Sequence, residues 1–203
     1  VALLFFLSCV AELVYEALWQ RRFALVFGSA ARATAAVLAA YFAGLGLGSW
    51  LIGRRPIRNP LKLYAALEVG IAVGALLVEA WLAWFDTLPG GASLISKTFL
   101  AFLALALPTA CMGGTLPALG AFVDQGRQRL GSTAGLLYVV NTAGAALGIL
   151  LVPFALMPTL GARNTLLACG AGNSLLAAGA WMLARNCSSV HDKVAPQSAS
   201  TKF

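Results

Sequence analysis

Four glutamates interrupt runs of apolar residues: Glu12 and Glu16 in AELVYEALWQRR, and Glu68 and Glu79 in LYAALEVGIAVGALLVEAW. With only seven acidic residues in the chain, more than half of its acid lies in apolar surroundings. A carboxyl group so placed either pairs with a basic side chain as a structural lock, binds a cation, or carries a proton. Glu12 and Glu16 are four residues apart, so they share one helical face with Ser8, Tyr15 and Trp19. Arg21 and Arg22, about one turn beyond Glu16, are the nearby candidates for a lock. Glu68 and Glu79 are three turns apart, again on one face and roughly 16 Å along the axis at 1.5 Å per residue. For both, hydrogen bonding to Asn141 or Asn173 is the structural alternative.

Other residue types offer less chemistry. Cys9, Cys111, Cys169 and Cys187 are scattered singly, with no CxxC pair, and read as small packing residues. His191 stands alone in a polar tail. No metal site, disulfide or cofactor is expected.

The elements that must position the glutamates follow from composition. The chain has 203 residues, 60% hydrophobic and 10% charged, with mean hydropathy +0.85, outside the range of soluble domains. The reading is an all-α polytopic membrane protein with six transmembrane helices, near 1–20, 33–53, 61–85, 99–123, 133–157 and 164–184, each near the 20 residues that cross about 30 Å of hydrocarbon. The opening run lacks a basic leader and a small-residue cleavage site, and so counts as a first span. An acid near mid-span costs about 2.5–3.5 kcal/mol on insertion scales, so the polar stripe must face protein or a wet cavity. The expected domains are 1–185, the helical bundle, and 186–203, a polar flexible tail.

Arg54, Arg55, Arg58, Lys62, Arg127, Arg129, Arg185, Lys193 and Lys202 fall on one side of the spans, against Arg21, Arg22, Arg32, Lys97 and Arg163 on the other. The imbalance predicts both termini in the cytoplasm. The net charge of +7 then points to anionic lipid headgroups rather than nucleic acid. The expected partners are the bilayer, other membrane subunits or a homodimer mate.

Small residues indicate where helices approach. Ala36, Ala40, Gly44 and Gly48 form a seam along span two, and Gly70 with Gly74 and Gly144 with Gly148 add close-contact sites. GLGLG at 44–48 lacks the spacing of a dinucleotide loop and follows no strand. In span four, PTACMGGTLP places Gly113 and Gly114 between Pro108 and Pro117, which predicts either a broken helix lining a cavity or a plain proline kink. Spans two and six share a faint echo, GSWLIGR against GAWMLAR.

The order YEALWQRRFALVFGS, AAYFAGLGLGSWLIGRR, PTACMGGTLPAL and RLGSTAGLLYVVNTAGAALGILLVPFALMPTLG resembles the membrane half of bacterial fused proteins that join a major-facilitator-like region to a spermidine-synthase-like domain. The resemblance spans about 1–185 and implies a six-helix unit like half a major facilitator fold. Two features depart from it. The tail NCSSVHDKVAPQSASTKF offers neither a glycine-rich nucleotide loop nor paired acids, which predicts a chain that is not an enzyme. GSWLIGRRPIRNP keeps glycine and arginines of the major-facilitator loop but has no aspartate. The leading functional expectation is therefore a non-catalytic membrane subunit or scaffold in a larger complex in the bacterial inner membrane. Two alternatives stand beside it: transport or binding of a small cationic molecule such as a polyamine, with Glu12, Glu16, Glu68, Tyr15 and Asn141 as the site, or an anchor for a separate synthase-like enzyme.

Overall fold

A computed structural model describes residues 1–85, 93–125 and 130–194. The regular structure of the described residues is all helix, without a strand: α1 (Ala2–Phe27), α2 (Ala30–Gly53), α3 (Pro60–Phe85), α4 (Leu94–Gln125), α5 (Leu130–Leu151) and α6 (Met157–Val194), with a π-helical turn, Val152–Leu156, joining the last two. Gly28 ends α1 in the left-handed conformation (φ 64°), which glycine adopts without steric cost, and Ser29 opens α2 at once.

Five stretches are long and apolar enough to cross a membrane: Ala2–Phe27, Ala30–Gly53, Pro60–Trp84, Leu94–Asp124 and Ala134–Asn186. The expected count was six, and no major-facilitator arrangement is shown. The difference lies between the expected fifth and sixth spans, 133–157 and 164–184, which form one continuous helical stretch. Pro153 removes a backbone donor, but the helix widens into the π turn instead of stopping. Only Gly161 (φ 72°, ψ 172°) leaves helical geometry, in a region closed to residues with a Cβ. The sixth helix also runs past the expected boundary at Arg185 to Val194, while 195–203 of the expected tail lie outside the described residues.

Helix α1 is the hub, packing against α2, α5 and α6, with smaller contacts to α3 and α4. Its polar stripe is consequently walled in, and Ser8, Glu12, Tyr15, Glu16 and Trp19 are all buried. Around it, α4 packs on α2 and α3, and α6 on α3.

The small-residue seams lie inside this bundle. A Cβ built on Gly48 would land on the Ala110 carbonyl, one on Gly44 on the Thr109 side chain, and one on Gly113 of α4 on the Leu45 backbone of α2. Gly144 and Gly148 bring α5 equally close to Phe6 and Val10 of α1. Ala36 and Ala40 belong to the buried core beside them.

The expected break in span four is absent, because α4 is continuous through Pro108 and Pro117. Its neighbours supply the reason. The Pro108 ring fills the space that Gly74 of α3 leaves open. Within α4, Thr109 donates to Leu105 O at 2.6 Å and Thr115 to Met112 O at 2.7 Å, so both buried hydroxyls are satisfied by their own helix.

Candidate functional site

Two of the acids open onto one cavity. Glu12 and Glu16, successive turns of α1, line a space of about 340 Å³ together with Tyr41 and Phe42 of α2, Thr115 of α4 and Asn141 of α5. Gly113 forms part of the same wall, so the PTACMGGTLP segment borders a cavity without unwinding. Glu12 and Glu16 are only 6% and 7% exposed. Neither forms the lock with Arg21 or Arg22 that their spacing allowed. Glu16 instead accepts from Gln20 Nε2 at 2.8 Å. No lysine or arginine is among the residues lining this cavity.

Behind the cavity, α1 hands the polar chain on to α3 and α6. The Ser8 hydroxyl lies 3.3 Å from Glu12 Oε1 and 2.6 Å from Glu68 Oε1, and Asn173 Nδ2 donates to Glu68 Oε2 at 2.8 Å. Glu68 and Asn173 are fully buried. Tyr64, one turn before Glu68 on α3, bonds Leu4 O at 3.3 Å. Three further buried atoms, Tyr15 Oη, Trp19 Nε1 and Asn173 Oδ1, have no hydrogen-bond partner.

Of the five expected site residues, Glu12, Glu16 and Asn141 line the cavity, whereas Glu68 sits two hydrogen bonds behind it, through Ser8, and Tyr15 is buried outside its lining. Asn141 accepts from the Cys9 thiol at 3.3 Å. Tyr41 and Tyr64 were not anticipated. The signal for Tyr64 was present, since it lies four residues before Glu68 and therefore on its face.

Glu79 has a different environment. It pairs with Arg22 at 3.5 Å and lies in a second cavity, of about 380 Å³, which also holds Arg163. Both partners remain partly exposed, at 32% and 24% for Arg22 and Glu79, and pairs of this kind contribute about 1 kcal/mol or less. Arg22→Ala should accordingly lower the thermal midpoint in detergent only slightly; a shift as large as those of core substitutions would show that the pair is structural.

Comparison with known proteins adds a distant likeness. A polyamine aminopropyltransferase of Corynebacterium efficiens is 30% identical over 170 residues, covering 80% of this chain and 31% of that protein. The polyamine aminopropyltransferases of Mycobacterium tuberculosis and Mycobacterium bovis are 32% identical over 168 residues, covering 76% of this chain and 30% of theirs. No family model and no solved structure matches. The chain thus spans about a third of the length of the curated relatives it matches. These names overturn the expectation drawn from the tail, that the chain is not an enzyme: the relatives matched along most of it are named as enzymes. The spermidine-synthase side of the resemblance thereby gains support from distant similarity, and the major-facilitator side does not. What the comparisons and the fold show together is an all-helical, strongly apolar chain with distant similarity to polyamine aminopropyltransferases.

Proposed function

We propose that this chain is the membrane-embedded, polyamine-handling part of an aminopropyltransferase-type enzyme, lying in the bacterial cytoplasmic membrane with the Arg54–Lys62 loop on the cytoplasmic side. The observation that carries the reading is the cavity with Glu12 and Glu16 on its wall and no basic side chain among its lining residues. A buried carboxyl either takes a proton or meets a counter-charge, and here a ligand supplies the charge. In the second cavity, by contrast, arginines already stand beside Glu79.

Shape and chemistry narrow the ligand. Four residues of helix separate the two carboxyls by about 6 Å along the axis, a span that a short linear diamine bridges. Tyr41 and Phe42 line the same space, where an aromatic face attracts an ammonium group. The volume of about 340 Å³ is at the small end of the roughly 300–1,000 Å³ typical of ligand sites, which suits a slender chain. The names of the relatives bring polyamines into consideration. The small-residue seams along which a scaffold would pack against other subunits are occupied within the bundle.

Titration calorimetry of the detergent-purified chain with putrescine and spermidine tests the proposal. Glu12→Gln and Glu16→Gln should each weaken binding roughly 10- to 100-fold, the equivalent of the ~1.5–3 kcal/mol of a hydrogen bond to a charged group. Glu79→Gln should leave it unchanged. Absence of binding, or equal losses in all three variants, would refute the assignment.

A further inference from the structure

The hydrogen bonds behind the cavity form one chain from Glu12 through Ser8 to Glu68, and Ser8 has a single proton to give. Its short contact, 2.6 Å to Glu68 Oε1, has the length of a hydroxyl donating to a charged carboxylate. The longer one, 3.3 Å to Glu12 Oε1, is then a contact in which Ser8 Oγ accepts, and Glu12 can supply the proton only in its neutral form. We infer that Glu68 is the internal proton acceptor for the ligand cavity: Glu12 holds a proton while the site is empty and passes it through Ser8 to Glu68 when a cation binds. The inference rests on the cation-binding reading of the cavity.

The step conserves its atoms. The O–H bond of Glu12 breaks as one forms on Ser8 Oγ; the original Ser8 O–H breaks as one forms on Glu68 Oε1. Glu12 becomes the carboxylate that meets the ammonium, and Glu68 becomes the neutral acid. No proton enters or leaves the protein, and the negative charge moves from a sealed position to the cavity wall.

Asn173 is suited to both states. Its Nδ2 donates to the Glu68 carboxylate at 2.8 Å, while its buried Oδ1 has no partner. The transferred proton arrives on Oε1, so Oε2 stays an acceptor and the Asn173 hydrogen bond holds in both states. The other ionisable side chains around this chain are one carboxyl, Glu16 on α1, which Gln20 holds, and the thiols and phenols Cys9 and Tyr15 on α1, Tyr41 on α2, Tyr64 beside Glu68 on α3, Cys111 on α4 and Cys169 on α6. None of these competes as a cation for the carboxylates.

Infrared difference spectroscopy and calorimetry of the full chain test this. The unliganded protein should show a protonated-carboxyl stretch that Glu12→Gln removes and Glu68→Gln retains. Loss with Glu68→Gln instead, or no such band in the wild type, overturns the relay whether or not any ligand binds. With putrescine, the wild type should release almost no protons, judged from calorimetry in buffers of different ionisation enthalpy. Ser8→Ala and Glu68→Gln should each release about one proton per bound ligand, because the Glu12 proton then leaves to solvent. Equal proton release by wild type and variants also overturns it. If putrescine and spermidine bind to neither wild type nor variants, the cavity reading fails while the unliganded spectra still decide the location of the proton.

Discussion

Gly48→Leu is expected to leave little folded protein in mild detergent, and what remains should melt far below the wild type. The obstacle is main chain. A Cβ at this position falls on the carbonyl of Ala110, and unlike the end of a flexible side chain, a helix backbone cannot turn aside. Overpacking usually costs about 1–3 kcal/mol and occasionally more; an obstruction by backbone along the α2–α4 contact belongs at or above the upper end. Since α4 also carries the Gly113 wall of the cavity, surviving Gly48→Leu protein should bind polyamine poorly. Gly46→Leu is the matched control. A Cβ there meets nothing within 4 Å, and replacing glycine within a helix is favourable by up to about 1 kcal/mol. Tryptophan fluorescence during thermal unfolding separates the two; similar melting of both variants would mean that α2 and α4 are not in close contact.

The second large effect is electrostatic. Asn173→Asp places another carboxyl where an amide now donates to Glu68 at 2.8 Å. Two carboxylates sharing one buried site cannot both stay ionised. An uncompensated buried charge costs about 3–5 kcal/mol, so the variant should be strongly destabilised at neutral pH. Asn173→Ala, which only deprives Glu68 of a donor, should cost about 1–3 kcal/mol. Combining Asn173→Asp with Glu68→Gln exchanges acid and amide across the α3–α6 contact and should recover most of the loss. Thermal midpoints in detergent decide the order; an aspartate variant no less stable than the alanine variant would show that the two helices do not bring these side chains together.

How far these features can be read from sequence depends on whether they are local or tertiary. The shared face of Ser8, Glu12, Tyr15 and Glu16 follows from helical periodicity alone, and the structure buries all four together. The cost of an acid in hydrocarbon likewise requires shelter, and α1 obtains it from the helices packed around it. Periodicity does not say which neighbour covers which face. Arg22, close in sequence to Glu16, pairs instead with Glu79 of α3, and Asn173 rather than Asn141 reaches Glu68. The prolines of α4 left a broken helix and a plain kink both open for a similar reason. Their helix-breaking tendency is intrinsic, but the glycine of α3 opposite Pro108 becomes visible only once the helices are packed. The count of spans failed at Pro153 because a π turn absorbs the missing donor, a local remedy with no residue signature of its own.

The central position of α1 also constrains how the molecule is made. During synthesis its carboxyls emerge long before α5 and α6, and the donor that Glu68 relies on is supplied from 105 positions later in the chain. Until those last segments leave the ribosome, the nascent hairpin of α1 and α2 carries acids that hydrocarbon cannot solvate. The shelter of these acids is therefore completed late, when α5 and α6 close over α1.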